Sequence, residues 1–416
     1  MIYDQCPRIE PVIPLSTRTS LPAQASQEQL QSEQPEAERD FTVAEFFAGI
    51  GLARLGLEQA KRLKVAWAND IAEKKQEMYL KHFGTVDAAH YEREDIKIIA
   101  ANPVEAGVPQ DLDVAWASFP CTDLSLAGER KGLAGEHSGT FWDFAKIIEL
   151  LGERGPKVVA LENVNGLATS HDGEDLRTLV KELNRLEYSV DVLTLDARRW
   201  VPQSRPRLFV IGVKKLPKTE DSEKRNIELR PKWLNHIFDA DDLKTHRADL
   251  PPLPPLKSTG WTQLVSRIPE SDVEHLWWDK ERMARFEGEL SDVQQNRVKK
   301  LKALGEVVYR TAYRRTRGGV PQWEIRNDDI AGCLRTTGGG SSKQAVVRIE
   351  KKRLQARWMT PREYASLMGA PDYKLLDHEN QARMGFGDAV CVDAVAWLAV
   401  NYLQPLLVTM DEHGTS

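Results

Sequence analysis

The sequence predicts an α/β fold: a doubly wound, mainly parallel sheet with helices on both faces and a smaller, irregular second domain. Three observations carry that prediction. Short apolar runs alternate with amphipathic stretches from Phe41 to about Val213, the rhythm of strands and crossover helices in a layered sheet. The first run ends in a glycine-bearing turn, with an acidic residue about 20 positions further on at the end of the second run. Residues able to do chemistry then recur at the ends of later runs, where open sheets of this kind hold their ligands.

In order, the first strand is Phe41-Thr42-Val43-Ala44-Glu45-Phe46-Phe47. It leads through Ala48-Gly49-Ile50-Gly51 into a helix with Leu52, Leu55, Leu57 and Ala60 on or near one face. Lys64-Val65-Ala66-Trp67-Ala68 is a second strand ending at Asn69-Asp70, with residues 71–83 as its helix, and Asp95-Ile96 follows another short unit. Residues 112–119 form a buried strand that delivers Pro120-Cys121 to the rim of the sheet. The polar stretch 122–139, with Gly128, Gly132 and Gly135, has the hinges of a closing loop. A helix over 141–151 precedes the strand Lys157-Val158-Val159-Ala160-Leu161, which ends at Glu162-Asn163-Val164. A helix over 176–186 follows, and strands over 188–195 and 208–213 flank Gln203-Ser204-Arg205-Pro206-Arg207.

Outside this core the pattern changes. Residues 1–40, rich in Gln, Ser, Pro and Glu, read as a disordered tail, and 41–214 as the catalytic and cofactor-binding domain. Over 215–352 the strand–helix rhythm fails and Pro251-Pro252-Leu253-Pro254-Pro255 makes a stiff linker, so this region reads as a second domain. Thr360-Pro361-Arg362-Glu363 restarts a helix. An apolar last helix over about 389–403 suggests that 353–416 packs back on the first domain.

A chain of 416 residues favours two domains. With 41% hydrophobic and 29% charged residues, and no apolar run approaching a membrane span or a signal peptide, it reads as a cytoplasmic globular protein. Four scattered cysteines, Cys6, Cys121, Cys333 and Cys391, argue against a metal site or disulfide framework. The net charge is −5, yet residues 282–357 hold 18 Lys and Arg against 8 Asp and Glu. A basic segment on an acidic chain is the footprint of a polyanion site.

The glycines of the first turn let a ligand approach the backbone, and Asp70 is placed to accept hydrogen bonds from a ribose. A pyrophosphate-binding turn wants a third glycine where Arg54 stands, which favours a smaller adenosyl ligand such as S-adenosylmethionine over NAD. Cys121 alone reads more readily as a small buried hydrophobe than as a nucleophile. Glu162 at a neighbouring strand end is a candidate acid for a ring nitrogen. Alternation puts Gln203, Arg205 and Arg207 on one face, where two guanidiniums need an anion or polar ligand to hold.

The ordered set FFAGIG, FPCTDLS, ENVNG, QSRPR, MTPREYASLMGAPD and GFGDAV resembles the DNA (cytosine-5) methyltransferase family from Phe41 to the C-terminus, except over about 214–329. The resemblance implies a class I S-adenosylmethionine-dependent fold, with the variable stretch as target-recognition domain. It implies Cys121 as the nucleophile on cytosine C6, Glu162 on N3 and the exocyclic amine, and Arg205 and Arg207 holding the base. For the cofactor S-adenosyl-L-methionine (product S-adenosyl-L-homocysteine) it implies Phe47, Gly49, Gly51, Asp70, Ile71, Asp95, Ile96, Pro120, Asp388, Ala389 and Val390. In the basic second domain Arg314, Arg315 and Arg317, and the Gly-rich segment with Arg335, Thr336 and Thr337, are the candidate phosphate contacts, with Ser125 and Gln203 as further DNA-binding candidates. The family has Gly-Asn where this chain has Gly387-Asp388, and a carboxylate cannot donate the hydrogen bonds of an amide.

The chemistry is coherent without the family name. A thiolate added at C6 turns cytosine C5 into a carbanion equivalent able to take a methyl group from a sulfonium, and the base must first leave the duplex. The expectation is a monomeric, sequence-specific enzyme acting on double-stranded DNA, with a cognate restriction endonuclease or other defence protein as partner. Two rival readings are an RNA methyltransferase of the same fold, which would carry a short variable region and a Cys-Phe-Thr segment, and a catalytically idle DNA-binding protein.

Overall fold

The computed structural model describes residues 39–120, 139–217, 226–257, 259–336 and 343–414. The disordered-tail expectation (1–40) lies almost entirely outside the described residues, as do Cys121, Ser125 and Thr337.

Seven strands make the larger sheet: β1 (Phe41–Phe46), β2 (Leu63–Asn69), β3 (Tyr91–Glu92), β4 (Val114–Ala117), β5 (Val158–Asn163), β6 (Ser189–Asp196) and β7 (Pro206–Val213). Their order is β3-β2-β1-β4-β5-β7-β6. The first five pair in parallel, while β7 runs antiparallel to both β5 and β6. The winding direction reverses between β1 and β4, which opens a crevice at their carboxyl ends. Register lines those ends up: Phe46 lies opposite Asn69 on one side and Ala117 on the other, and Ala117 lies opposite Leu161. Phe47, Asp70, Ser118 and Glu162 are therefore brought to one edge.

Both faces of this sheet are buried, as the continuous apolar strands require. Val43, Val114 and Trp116 pack into one core with the C-terminal Val395, Leu398, Tyr402 and Leu406. Ala44, Phe46, Ala115 and Ala117 pack into the other. Five helices accompany the strands: α1 (Leu52–Leu57), α2 (Glu73–Phe83), α3 (Ile96–Ile99), α4 (Thr140–Leu151) and α5 (Glu174–Arg185). The second core takes its helical half from Phe141, Phe144 and Ile148 of α4 and Leu176, Leu179 and Leu183 of α5. Gly56 lets α1 meet the C-terminal helix, since a Cβ there would lie 2.5 Å from that of Val395.

The basic region is more regular than its sequence suggests. β8 (Val308–Arg317), β9 (Val320–Ile325), β10 (Gln344–Ile349) and β11 (Leu354–Trp358) form an antiparallel sheet of order β11-β10-β8-β9. Gly318 and Gly319, with φ of 55° and 82°, make the two-residue hairpin between β8 and β9. Helices Lys280–Gly288 and Asp292–Lys302 cover one face through Met283, Phe286, Val298 and Leu301.

Two expected boundaries do not coincide with changes in packing. Residues beyond 214 stay with the large sheet: Leu229, Ala248, Leu250 and Leu253 join its first core, and buried Arg230 donates to buried Asp191 of β6. At the other end β11, beyond residue 352, belongs to the four-stranded sheet. Helix Pro361–Leu367 starts as expected, with Thr360 and Glu363 forming a reciprocal cap. The C-terminal run Glu379–Glu412 is long and apolar enough to cross a membrane, contrary to the expectation that no such run exists. Two thirds of its most apolar window (67%) is buried inside the protein, so here it serves as core.

Candidate active site

A cavity of about 1430 Å³ lies at the carboxyl ends of β1, β2, β4 and β5, closed on its far side by residues 333–336 and 385–390. At one end the turn after β1 is held from several directions. Phe47 and Gly49 both have left-handed backbones, with φ of 56° and 58°. The Gly49 N–H donates to Asp70 Oδ2 at 3.0 Å, Tyr91 donates to the Gly49 carbonyl at 3.1 Å, and Tyr373 donates to the Ile50 carbonyl at 2.8 Å. Gly51 is sterically required, because a Cβ would lie 2.5 Å from the Phe83 ring, but it does not line the cavity. The N–H groups of this turn are therefore partly committed: Asp70 takes that of Gly49 and, through Oδ1, that of Ala72 at 2.8 Å. Arg54 turns away from the cavity and sits over the Phe83 ring at 4.1 Å, donating to Tyr79.

Phe47, Gly49, Asp70, Ile71, Asp95, Ile96, Pro120, Asp388, Ala389 and Val390 all line the cavity. Ile71 is 64% exposed there, an uncovered apolar surface suited to a flat ring. Asp95 caps α3, accepting from the Lys97 N–H at 2.9 Å. Lys75, which the sequence did not single out, reaches over the cavity edge to place Nζ 3.1 Å from Asp388 Oδ2 and 4.0 Å from Asp70 Oδ2. Burial pulls its ammonium down, but Asp70 and Asp388 outweigh that and hold it above its ordinary value. Glu45, on β1, is fully buried in the wall, and desolvation pushes its carboxyl up to about 8. One of its oxygens, Oε2, has no hydrogen-bond partner. An unsatisfied buried carboxyl oxygen on a residue that lines a cavity matches a ligand that brings a donor or a positive charge. With Ile71 and the glycine turn, it makes this end fit an adenosyl sulfonium.

At the other end, Glu162 Oε1 receives Arg207 Nε at 2.9 Å, and both residues line the cavity. Asn163 donates to the Phe119 carbonyl at 3.1 Å, tying the end of β5 to the segment that carries Pro120. The expectation that Gln203, Arg205 and Arg207 share a face is corrected here. Gln203 is buried, donating to the Leu367 carbonyl at 2.7 Å and accepting from the Leu334 N–H at 3.0 Å, so its amide serves the main chain and not DNA. Arg205 is also buried and does not line the cavity. It donates to the Leu334 carbonyl at 2.7 Å and the Gly387 carbonyl at 3.0 Å, bracing the cavity's far wall without touching its interior. Cys333 lies in that wall. Burial would raise its thiol, but Arg205 and Arg207 overcome this and hold it below its ordinary value.

The arginines expected to meet phosphates are held by carboxylates. Arg314 binds Glu289 through two bonds of 2.7 and 2.6 Å, and Arg317 pairs with Glu324 at 2.7 Å. Arg315 packs 4.5 Å over Tyr313 and, with Arg335 and Thr336, reaches the cavity rim. Thr336 donates to Asp388 Oδ1. Cys121, Ser125 and Thr337 lie outside the described residues, although Pro120, one residue before Cys121, lines the cavity.

Comparison with known proteins agrees with this geometry. The model of the C-5 cytosine-specific DNA methylase family matches residues 41–403. The chain is 29% identical to the type II methyltransferase M.HhaI of Haemophilus parahaemolyticus, over 86% of this chain and 92% of that protein. It is 26% identical to the type II methyltransferase M.HpaII of Haemophilus parainfluenzae, over 89% and 92% of the two chains. Among solved structures it superposes on the Dnmt2 methyltransferase of S. pombe with a TM-score of 0.57, at 16% identity over 88% of this chain and 99% of that one.

Proposed function

Because this chain belongs to the C-5 cytosine-specific DNA methylase family, and so is a DNA cytosine-5 methyltransferase that uses S-adenosyl-L-methionine, we propose how its own residues divide the work. Cys121 is the nucleophile, Glu162 and Arg207 form the base-binding end of the cavity, and the β1–β2 end holds the cofactor. One observation carries this reading: the Glu162–Arg207 pair and Pro120, which precedes Cys121, line the same cavity as the glycine turn and Asp70.

When bound, the cofactor supplies an electrophilic methyl group on a sulfonium. Ile71 and Ile96 would cover its adenine, Asp70 its ribose, and Asp388 with Ala389 and Val390 its amino-acid end. Glu45 offers its unpartnered oxygen on the same side. The cytosine, turned out of the duplex, enters beside Glu162. The Cys121 thiolate adds to C6, and a carboxyl at Glu162 hydrogen-bonds N3, so electron density withdrawn into the ring returns to C5. Arg207 fixes the orientation of that carboxyl at 2.9 Å. C5 so activated would take the methyl group that the cofactor supplies, and loss of the C5 proton to solvent with departure of the Cys121 thiolate then restores the aromatic ring. Cys333 is not the nucleophile in this reading: Arg205 donates to its sulfur at 3.3 Å, which makes it part of the wall.

The four-stranded sheet and its helices, about residues 259–358, act as the target-recognition region, with Arg315, Arg335 and Thr336 at the rim meeting the DNA. The relatives M.HhaI and M.HpaII carry type II methyltransferase names, which supports a place beside a cognate restriction endonuclease, as a cytoplasmic monomer working on DNA. Bisulfite mapping of DNA from a host expressing the gene tests the whole. Methylation at cytosines in one short recurring sequence, abolished by Cys121→Ala, is expected; a blank map with the intact protein would contradict it.

A further inference from the structure

The cofactor end of the cavity carries an unusual charge problem and an equally specific answer to it. Glu45, Asp70 and Asp388 all line it. Asp388 adds a carboxylate where the family resemblance implies an amide, and a carboxylate accepts hydrogen bonds but cannot donate them. Both Asp388 oxygens are already engaged. Oδ1 accepts from the Thr336 hydroxyl, and Oδ2 faces Lys75 Nζ at 3.1 Å. The lysine comes from α2, the threonine from the 331–336 segment and the aspartate from the end of helix Glu379–Asp388. The three meet where Gly387 touches the Arg335 backbone so closely that a Cβ would lie 2.5 Å from it. The Lys75 stem runs along the glycine turn, its Cδ 3.8 Å from where a Gly49 Cβ would stand. Its ammonium has three N–H donors, one directed at Asp388, and both residues remain partly open to the cavity, at 27% and 36%.

We propose that Lys75 is a cofactor-positioning residue that works with Asp388 as one unit, a donor and an acceptor on two side chains doing what a single amide does on one. Asp388 accepts from the ammonium of the cofactor's amino-acid end, and Lys75 donates to its carboxylate while neutralising the added charge beside Asp70. The proposal rests on the reading that this end of the cavity holds that part of the cofactor. Its neighbour Lys74 offers a contrast: it points outward and pairs with Glu77 at 2.7 Å.

The test is calorimetric binding of S-adenosylmethionine and S-adenosylhomocysteine to the full-length protein, its Lys75→Met, Asp388→Asn and Lys75→Arg variants and the Lys75→Met/Asp388→Asn double variant, each checked for thermal melting without ligand. Lys75→Met is expected to weaken both ligands about tenfold or more, Lys75→Arg to stay within about threefold, and the double variant to recover to within about threefold of the wild type, because an amide with no lysine beside it is again self-sufficient. A merely structural clamp would shift the melting temperature and leave affinity unmoved, which overturns the proposal. So would a double variant as weak as Lys75→Met. If Lys75→Met does not melt cooperatively, Lys75→Gln takes its place in the same cycle. A wild-type protein that binds neither ligand would instead remove the cofactor assignment itself.

Discussion

The two ends of the cavity are built on opposite electrostatic plans. At the cofactor end, the carboxylates of Asp70 and Asp388 share one close cation, Lys75, beside the buried, proton-holding carboxyl of Glu45. At the base end, one carboxylate, Glu162, faces Arg207, with Arg205 just behind the wall. An acidic wall suits a sulfonium that also carries an ammonium group, whereas guanidiniums suit a base that arrives attached to phosphates. Two ligands of opposite character can thus share one cavity because each end is charged against its own guest. The two segments of the far wall that both ends share are joined through Arg205, which binds the Leu334 carbonyl in one and the Gly387 carbonyl in the other.

The sharpest way to break this comparison is to strike one end and read the other. Glu162→Gln should lower turnover by roughly 10²–10⁴, the usual cost of losing a positioned acid or base, with the dissociation constant for S-adenosylmethionine within about threefold of the wild type. Equal losses in both would mean that the ends are not separate. Arg205→Ala should damage both ends together, since it strands buried carbonyls in each segment. A stability loss of roughly 3–5 kcal/mol in urea unfolding is expected, and a loss below about 1 kcal/mol would remove its bracing role.

A smaller effect concerns Glu45. Its carboxyl, pushed up to about 8 mainly by burial and eased by Arg54, keeps its proton in the folded protein at pH values where the unfolded chain has released it. The folded state then binds more protons than the unfolded one, so stability falls as pH rises from about 4.5 toward 8. At about 1.4 kcal/mol per pH unit this amounts to a few kcal/mol at most. Glu45→Gln should flatten that slope in melting curves taken without ligand; an unchanged slope would place the titration elsewhere. Smallest of all, Arg317→Ala at an exposed ion pair should cost less than about 1 kcal/mol of stability. Because Glu324 holds its guanidinium, the change should leave both the salt dependence of DNA binding and the cofactor affinity where they were.

The cofactor end was more legible in the sequence than the base end, for physical reasons. Gly49, Asp70 and Asp95 stand at the ends of short apolar runs or units, and a parallel sheet brings such ends together whatever its details. Arg205 and Arg207 alternate as a strand would, but β7 starts only at Pro206. The residues before it pair across to Ala331, so Arg205 and Gln203 turn into the wall. Lys75 follows Lys74 in a charged helix, and periodicity alone does not choose which of the two faces a cavity made partly by residues 300 positions away. The four-stranded sheet was hidden because its core is aromatic and long-range. Trp278, Phe286, Trp323 and Trp358 meet with ring centroids 5.2–5.7 Å apart. The Gly318-Gly319 pair is the one local signal for its hairpin.

The central claim is that Cys121, and not the arginine-flanked Cys333, attacks the base. Incubating the protein with S-adenosylmethionine and duplex DNA carrying 5-fluorocytosine at the mapped target stops the reaction after attack, since fluorine cannot leave C5 as a proton does. Mass spectrometry of the digested, denaturation-resistant adduct should find the nucleotide on the peptide containing Cys121, and Cys333→Ser should still form it. An adduct on Cys333, or one undiminished by Cys121→Ala, would contradict the account.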